Sequence, residues 1–580
     1  MSILGIDLGT TNSLCAVWRN GRSELVPNSF FEYLTPSVVS VSEDDTLFVG
    51  KIAKERLISH PESTASLFKR RMGTDGGIWL AKQTYRPEEL SALVLRQLRE
   101  DAERYTGESI TEAVISVPAY FNDYQRSATK RAGTLAGLYV ERLVNEPSAA
   151  ALASYLTGGD TSSYRNYIVF DFGGGTLDVS VVECFENVVS ILAVCGDNHL
   201  GGSDFDEALA QYFCQQNGIN FSALSATGRS ILLRQAELCK FELSSKNSTE
   251  MKMNNGEISG SIIIGNQKLI EISSELFKRI ERPVLHALKD SGLNKQDIHS
   301  IILVGGSCHM PIIKQYLEHI SGIRTCEYGS PDTSVALGLG VYVGIKERSS
   351  DIKDVLLTDI CPFSLGINVH NRNQPDRALM SVLIERNSAL PTSKENRFYT
   401  AGDWQKDIRV GVYQGEAMYA EDNILLGEIK MSVMPAPRGQ ECIDVRFTYD
   451  LNGILDVDAV TVSSQHRERL VIVNKGSWLT EQEIEQRIRE LAKLKIHPRD
   501  EDENKLLLAR AERLFEETTG ALRDTIMHNY EVFLSVLEKQ ERLDIQKMRV
   551  KFNEFLDKFC SGMNDQNPVS FRFDKDGDDK

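Results

Sequence analysis

The pattern of apolar and polar positions changes twice along the chain. Up to about Ile345, short apolar runs typical of strands alternate with stretches of helical periodicity, which predicts a layered α/β architecture. From Ile360 to about Asn474, short runs separated by turn residues predict an antiparallel β sandwich. Beyond it, apolar positions recur at helical spacing to about Cys560, with a break at Pro498. The predicted fold class is therefore multidomain: α/β, then β, then α.

These changes divide the chain into five predicted segments. Thr480 and Glu483 have the spacing of a capping box and predict the start of the helical part. The apolar positions that predict the core of a helical bundle include Leu506, Leu507, Leu514 and Phe515. The segments are an α/β domain (1–348), a linker (349–359), a β sandwich (360–476), a helical domain (477–562) and a disordered, solvated tail (563–580).

A cryptic repeat lies within the α/β domain. Ile6–Thr11 and Phe170–Thr176 each carry an aspartate at the end of a strand, then a glycine turn, and each leads into a second strand. Two such copies, each opening one half of the domain, predict two similar lobes that face each other across a cleft. Either turn alone would be an ordinary β turn, but the pair favours phosphate binding, because glycine lets backbone N–H groups approach an anion closely.

The two aspartates of the repeat predict a metal site. Asp7 and Asp171 end their strands, so their carboxylates would converge from opposite lobes. Magnesium keeps several of its waters and takes one or two direct protein ligands. The pair therefore predicts a hydrated Mg²⁺ beside a triphosphate, whose hydrolysis needs a cradle of N–H groups, a metal and a positioned water.

Composition and charge exclude several other classes of function. With 65 basic and 82 acidic residues among 580, the net charge of −17 gives no electrostatic support to nucleic-acid binding. Ten scattered cysteines, without a CxxC pair or a His/Cys cluster, predict reduced thiols and neither a zinc site nor a disulfide framework. No apolar run approaches the roughly 20 residues that span a bilayer, and no leader pattern opens the chain. The sequence thus predicts a cytoplasmic protein that is not integral to a membrane.

Six motifs, in order along the chain, carry a resemblance to a known family. They are Gly5–Ser13, Val117–Asp123, Asn145–Ala151, Phe170–Asp178, Gly201–Asp206 and Leu303–Ser307. Together they closely resemble the Hsp70 chaperones, from about Ile3 to Glu483 and more loosely to Cys560. Phe68–Gly73, with the shortened first lobe, looks most like the bacterial HscC-type branch.

The resemblance implies an architecture, an activity and partners. The architecture is an actin-like, two-lobed ATPase domain, a β-sandwich peptide-binding domain and a helical lid. The activity is hydrolysis of ATP to ADP and phosphate, coupled to the binding of apolar segments of unfolded polypeptides. ATP/ADP and Mg²⁺ are the implied cofactors, with K⁺ as a further candidate ion. The implied partners are unfolded or extended polypeptide clients, a J-domain co-chaperone and a nucleotide-exchange factor.

Catalytic and metal roles follow from the resemblance at matching positions. Lys69 matches the lysine beside the γ-phosphate and the attacking water, and Glu146 matches its carboxylate counterpart. The implied catalytic residues are Lys69, Glu146, Asp171, Thr176 and Asp178. The implied metal residues are Asp7 and Asp171, acting through water.

The implied nucleotide contacts surround these groups. Phe241 and His309 stand where many relatives carry two arginines near the adenine. Aromatic rings can still stack on the base, so nucleotide binding is expected to survive. The implied nucleotide-binding residues are Gly9, Thr10, Thr11, Asn12, Gly173, Gly174, Gly175, Gly201, Gly202, Glu237, Lys240, Phe241, Ser244, Gly305, Gly306, Ser307, His309 and Asp332.

The remaining implied residues bind peptide or couple the domains. The implied peptide-binding residues are Ile367, Phe398, Ala401, Ile408 and Val410, although each is also compatible with plain sandwich core. In the linker, three consecutive apolar residues between acids favour a segment that docks over one that is solvated. The implied coupling residues are Pro118 and Arg126, as a relay between nucleotide and linker, Arg142 and Asp359, as positions used by J-domain co-chaperones, and Val355, Leu356 and Leu357 of the linker.

Two other functions stay open on the sequence. A sugar or acetate kinase shares the actin-like plan, but it would need an acceptor pocket and has no use for an apolar linker leading to a β sandwich. An ATP-binding holdase or co-chaperone with little turnover would share every domain of the chain. Turnover of ATP without an acceptor separates the ATPase from both.

Overall fold

The structure is a computed structural model that describes most of the chain. It describes residues 3–42, 46–157, 165–185, 188–254, 257–327, 329–348, 356–450, 453–472, 498–518 and 520–560. Val355, the predicted capping box at Thr480 and Glu483, and the predicted tail lie outside the described residues. The described residues form two compact units, one up to Pro362 and one from Phe363 onward.

The first unit alternates strands and helices, as the sequence predicts. Its strands are β1 (Ile3–Asp7), β2 (Asn12–Arg19), β3 (Arg22–Leu25), β4 (Thr35–Pro36), β5 (Val39–Val41), β6 (Leu47–Val49), β7 (Thr64–Ala65), β8 (Ile78–Leu80), β9 (Gln83–Tyr85), β10 (Glu112–Val117), β11 (Leu143–Asn145), β12 (Arg165–Phe172), β13 (Leu177–Phe185), β14 (Val188–Asp197), β15 (Ser248–Asn254), β16 (Ser259–Gly265), β17 (Ile298–Val304), β18 (Thr325–Cys326) and β19 (Leu356–Ile360). Its helices are α1 (Lys51–Ser59), α2 (Pro87–Thr106), α3 (Asp123–Leu135), α4 (Glu146–Thr157), α5 (Gly202–Gln216), α6 (Ala226–Leu243), α7 (Asn266–Ile272), α8 (Ser274–Asp290), α9 (Pro311–Ser321) and α10 (Ser334–Lys346).

Two sheets in this unit repeat one arrangement. The first follows the order β11-β10-β1-β2-β3, with β4 on β2, and in the second the strands of this unit follow the order β18-β17-β12-β13-β14-β19. β1 pairs antiparallel with β2 and parallel with β10, while β12 pairs antiparallel with β13 and parallel with β17. The predicted strand–turn–strand repeat is thereby confirmed, and each copy holds the same place in its sheet.

Helices α4 and α10 form a layer that both sheets share. α10 packs against α4 and against β1, β2 and β3, and α4 packs against β12, β13 and β14. Their apolar side chains join one core with strands of both sheets, including Val114 of β10, Ala149 of α4, Val169 of β12 and Leu339 of α10. This common core fixes how the two glycine turns are placed relative to each other.

The second unit begins with the predicted β sandwich. Its strands are β20 (Leu365–Val369), β21 (Leu379–Ile384), β22 (Ala389–Leu390), β23 (Thr392–Tyr399), β24 (Asp407–Gln414), β25 (Ile424–Ser432), β26 (Cys442–Tyr449), β27 (Leu455–Thr461) and β28 (Arg467–Ile472). All of them except β22 form two four-stranded sheets, β21-β20-β24-β25 and β23-β26-β27-β28, whose neighbours pair antiparallel. Turn residues in the sequence, such as Asn371–Asn373 and Ala401–Asp403, fall between strands as predicted.

Among the described residues, three helices follow in this unit: α11 (Asp502–Glu517), α12 (Ala521–Lys539) and α13 (Arg542–Cys560). The sequence predicts a helical pattern with a break only at Pro498, and two further helix ends were missed. The chain turns at Gly520, which precedes α12 with φ of 67°, and at Gln540, which ends α12 in the left-handed conformation with φ of 58°. None of the helices in the described residues is long and apolar enough to cross a membrane.

The predicted bundle core is largely confirmed. Leu507 and Leu514 are buried in one cluster, and Phe515 packs against it. Leu506 is 61 % exposed, so its assignment to the core was wrong. Because Leu507 and Leu514 are seven residues apart, they lie on one stripe of α11, and Leu506 lies beside that stripe.

Candidate nucleotide-binding site

The two glycine turns of the repeat meet face to face. A β-carbon at Gly174 would overlap Oγ1 of Thr11, and one at Gly175 would overlap the side chain of Thr10. Only glycine therefore allows the second turn to approach the threonines of the first. The two loops predicted to bind phosphate, one from each half of the unit, form one continuous surface.

Two further motifs close around the second turn. The N–H of Gly202 donates to the carbonyl of Gly173 at 3.0 Å, at the start of α5. Oγ of Ser307 donates to the same carbonyl at 2.8 Å. Gly305 has φ of 84°, and a β-carbon there would lie 2.6 Å from the carbonyl oxygen of Phe172. The predicted glycines from three separate segments are thus brought together.

Three buried aspartates, Asp7, Asp171 and Asp178, lie behind these turns, where the charge of Lys69 offsets only part of their mutual repulsion and of the cost of burial. Oδ1 of Asp7 accepts a hydrogen bond from Oγ of Ser116 at 2.8 Å, and Oδ1 of Asp178 accepts one from the N–H of Tyr120 at 3.1 Å. Burial, and next the negative charge of Glu146, raise the pKa of Asp7 and of Asp178 to about 7 each and hold the pKa of Asp171 well above its usual range. Such a cluster favours a bound cation, which would restore the charged forms.

A buried ion pair stands beside the aspartates. Nζ of Lys69 lies 2.8 Å from Oε1 of Glu146, and the two side chains are only 3 % and 7 % exposed. Lys69 sits on a 3₁₀ turn, Phe68–Arg71, and Glu146 opens α4. Nζ also lies 5.6 Å from the centroid of the Phe121 ring. A lysine that reads as part of a basic, solvated run is therefore held inside the site.

Several buried polar atoms of this site form no hydrogen bond with the described residues. Among the described residues, Oγ1 of Thr10, Oγ1 of Thr11 and Oδ2 of Asp178 are buried and accept or donate no hydrogen bond. A buried polar atom without a partner costs on the order of 1–3 kcal/mol. Two hydroxyl donors and one carboxylate facing a glycine cradle fit the oxygens of a phosphate chain and the waters of a hydrated cation. The residues present therefore fit ATP and Mg²⁺.

The predicted grip on the ribose and adenine lies partly on α6. Nζ of Lys240 donates to the carbonyl of Gly202 and to Oδ2 of Asp206, both at 2.8 Å. Glu237 pairs with Lys54 of α1 at 3.4 Å. Ser244 directly follows α6 as its C-cap, so these three predicted residues lie on one helix and its end.

Two rings stand at the rim of this region. Phe241 is 55 % exposed, next to Lys240. Nε2 of His309 lies 2.8 Å from Oδ2 of Asp332, and a β-carbon at Gly306 would lie 2.7 Å from the other carboxylate oxygen of Asp332. Both rings are therefore exposed enough to contact the adenine of a nucleotide, and the carboxylate of Asp332 holds the ring of His309.

With this geometry in place, a comparison with known families is informative. The sequence model of the Hsp70 protein family matches residues 3–558. The chain belongs to the Hsp70 family. Members of this family are ATPases that bind ATP or ADP with Mg²⁺ and act as chaperones, so a chaperone of the Hsp70 type is the function class of the chain.

In Hsp70 terms, the linker residues that the structure describes lie on the ATPase unit. Leu356, Leu357 and Thr358 of β19 pair in parallel with Val188, Val189 and Ser190 of β14. Leu357 is partly buried against the core that α4 and α10 share. Leu356 and Leu357 thus lie in a strand at this sheet, and their role in coupling stays a prediction.

A chain of hydrogen bonds leads from the site to the end of β19. Arg126 donates to the carbonyl of Ala119 at 3.2 Å and to Oδ1 of Asn145 at 2.7 Å. Nδ2 of Asn145 donates to both carboxylate oxygens of Asp359 at 2.7 and 2.8 Å. Asn145 precedes Glu146, so one short segment touches both the buried ion pair and the linker. No sequence pattern predicted this role for Asn145, although the residue opens the motif Asn145–Ala151.

Other predicted coupling and peptide residues are placed as follows. The carbonyl of Pro118 accepts the N–H of Phe121 at 3.1 Å, and Nη1 of Arg142 donates to Oη of Tyr342 at 2.7 Å. In the sandwich, the residues divide by burial: Ile367 and Val410 are buried, while Phe398, Ala401 and Ile408 keep part of their surface exposed. The three partly exposed residues are the better candidates for contact with a peptide.

The aspartate cluster predicts an unusual dependence of stability on pH. A raised pKa means that the folded state holds protons more tightly than the unfolded state, so stability is present at low pH and is lost as pH rises from about 4 through about 7. In the absence of nucleotide and Mg²⁺, Asp7→Asn should therefore raise the free energy of unfolding at pH 8 by on the order of 1–3 kcal/mol. Urea melts in a chelating buffer at pH 5 and pH 8 measure it.

The matched control is Asp75→Asn, at an exposed position of the same unit. Its effect should be small and equal at both values of pH. An Asp7→Asn variant that is less stable than the unchanged protein at pH 8 would contradict the prediction.

Proposed function

We propose that this Hsp70 is an ATP-driven peptide clamp. It binds exposed apolar segments of unfolded polypeptides in the β sandwich, and ATP binding and hydrolysis switch that clamp between open and closed. The observation that carries the proposal is a pair of contacts made by two adjacent residues. Glu146 forms an ion pair with Lys69, and Asn145 donates a hydrogen bond to Asp359 of the linker strand. These two adjacent residues therefore contact both the phosphate end of the site and the linker, and coupling between two sites requires such a shared element.

The chemistry assigned to the site needs little from the protein beyond positioning and charge. The glycine turns present N–H groups to the phosphates, with Thr10 and Thr11 donating their free hydroxyls. Lys69 donates to the γ-phosphate or to the attacking water, and Glu146 holds that lysine in place. Mg²⁺, when bound, would neutralise charge on the phosphate oxygens, and Asp7 and Asp171 would hold its waters.

Further roles follow as part of the same proposal. Asp178 and Thr176 complete the catalytic group, and Pro118 and Arg126 relay its state toward the linker. Arg142 is assigned, with Asp359, to a J-domain co-chaperone that stimulates hydrolysis. Four further proposals rest on the family resemblance alone: a nucleotide-exchange factor as a partner, K⁺ beside the phosphates, action in the cytoplasm, and membership of the HscC-type branch.

The peptide pocket is proposed around Phe398, Ala401 and Ile408, which are partly exposed, together with the buried Ile367 and Val410. Antiparallel strands can grip an extended segment through its backbone and lodge an apolar side chain between their loops. The central apolar position gives affinity, and the exposed strand residues around it tolerate many sequences. This breadth suits a chaperone.

The proposal predicts that ATP accelerates peptide release. A fluorescent apolar peptide bound to the full-length protein should dissociate about ten times faster or more after addition of Mg·ATP than after Mg·ADP. Free phosphate should appear without any acceptor. Phe398→Ala should weaken peptide binding while the rate of hydrolysis changes little.

Each other outcome selects another function. Phosphate transfer that requires a sugar or acetate would indicate a kinase. ATP binding with neither turnover nor a change in peptide release would indicate the holdase and would sink the proposed cycle.

A further inference from the structure

An arginine next to Lys69 links the two halves of the site. Arg70 lies on the same 3₁₀ turn as Lys69, in the first half of the unit. Its Nε donates to the carbonyl of Gly175 at 2.7 Å, and its Nη2 lies 2.6 Å from Oδ2 of Asp204. Gly175 belongs to the second glycine turn and Asp204 to the first turn of α5, so both acceptors lie in the other half.

The guanidinium is fixed by both of its contacts. The side chains of Arg70 and Asp204 are 16 % and 19 % exposed, so water screens their attraction only in part. Oδ2 of Asp204 also accepts the N–H of Gly201 at 2.7 Å. Asp204 thereby joins Arg70 to the glycines at the start of α5. A planar fork with several donors suits two acceptors at once, and a lysine ammonium does not reproduce that geometry.

The contact with Gly175 acts on the peptide unit that follows it. In a trans peptide, the carbonyl and the next N–H point in opposite directions. By holding the Gly175 carbonyl, Arg70 turns the N–H of Thr176 away from itself. The same arginine fixes the distance between the Lys69 turn and the second glycine turn.

We infer that Arg70 is a positioning residue for ATP hydrolysis. It holds the peptide between Gly175 and Thr176, and with it Lys69, in the geometry that the transition state needs, and it touches neither the phosphates nor the water. If the second glycine turn moves away from Lys69, the site still binds nucleotide but hydrolyses it slowly. This inference rests on the proposed function of the site.

The test separates positioning from simple neutralisation of Asp204. Arg70→Lys keeps the positive charge but loses the fork, and Arg70→Gln loses both. We expect the single-turnover rate of ATP hydrolysis to fall about 10-fold in the first and about 100-fold in the second, because small displacements of reacting groups are costly. The dissociation constant for ATP should change by about threefold or less in Arg70→Lys, since its charge is kept.

A double variant provides the decisive comparison. In Arg70→Gln/Asp204→Asn no charge is left unpaired, and the amide oxygen of the asparagine can still accept the N–H of Gly201. If Arg70 acts by positioning, the double variant should regain the ATP affinity that Arg70→Gln loses, while its rate of ATP hydrolysis stays low. The control is Arg71→Gln, because Arg71 is exposed and its Nη2 donates to the carbonyl of Gly77 at 3.2 Å, in its own half of the unit. Its rate should stay within about twofold of the unchanged protein.

Three results would overturn the inference: a full rate in Arg70→Lys, recovery of the rate in the double variant, or an equal loss in Arg71→Gln. Thermal melts of every variant show whether a lost rate reflects unfolding, and Arg70→Lys, which keeps the ion pair, is the variant least affected. Absence of turnover in the unchanged protein would instead overturn the proposed function and this inference together.

Discussion

Replacement of Lys69 by alanine is expected to lower the single-turnover rate of ATP hydrolysis by about 100- to 1000-fold, the range found for loss of one preorganised charged or polar donor. The ammonium of Lys69 is held at 2.8 Å from Glu146 and is nearly excluded from water, so water would screen its attraction for a bound phosphate only weakly. Without it, Glu146 remains as an uncompensated charge beside Asp7, Asp171 and Asp178. ATP should bind more weakly as well, but by a smaller factor than the rate falls.

The measurement uses radiolabelled ATP with protein in excess, so product release does not enter. Lys51→Ala is the matched control, because Lys51 makes an exposed ion pair with Glu32 in the same unit and takes no part in the site. Glu146→Gln should also be slow, since the lysine then loses its anchor. A Lys69→Ala protein that hydrolyses ATP within threefold of the unchanged rate would remove Lys69 from the mechanism.

Replacement of Asn145 by aspartate is expected to weaken the coupling between ATP and peptide release, because it removes the hydrogen bond to Asp359. Asn145→Asp keeps an acceptor for Arg126 but sets two carboxylates against each other, and burial at Asn145 makes this repulsion strong. The linker strand should then dock poorly. ATP should accelerate peptide release about tenfold less than in the unchanged protein, within the range of allosteric coupling energies.

The double variant Asn145→Asp/Asp359→Asn restores one donor and one acceptor in exchanged positions. Peptide release measured by stopped-flow fluorescence should regain most of its response to ATP. Asn217→Ala, at the end of α5, serves as a control for loss of an asparagine elsewhere in the unit. Failure of the exchange to restore the response, with both proteins folded, would show that this contact does not transmit the signal.

Much of the site could be predicted because its determinants are local. An aspartate at the end of a strand, followed by a glycine turn, has few other purposes when it occurs twice, and both turns lie where the repeat placed them. Other determinants are not local. Lys69 stands in a run of basic residues typical of a solvated face, and only the surrounding packing shows that it is 3 % exposed. The sequence motifs of the family identified it, and its local pattern did not.

Long-range partners were the least predictable part. Asn145 and Asp359 are 214 residues apart, and Arg70 and Asp204 are 134 apart, so no periodicity relates them. Leu506 shows the same limit on a smaller scale, because apolarity alone does not fix which face of a helix is covered. Backbone patterns predict elements, whereas contacts between elements depend on packing that one sequence does not reveal.

Among the residues that the structure describes, the linker strand pairs with its sheet over three positions, Leu356–Thr358 with Val188–Ser190. At a net value of about 0.5–1.5 kcal/mol for each hydrogen bond, such a ladder can be undone for a few kcal/mol. Shifting a two-state equilibrium from 1:99 to 99:1 takes about 5.5 kcal/mol of differential affinity. In the proposed cycle, a difference in affinity of this size between two nucleotide states would release and re-form a ladder of three positions.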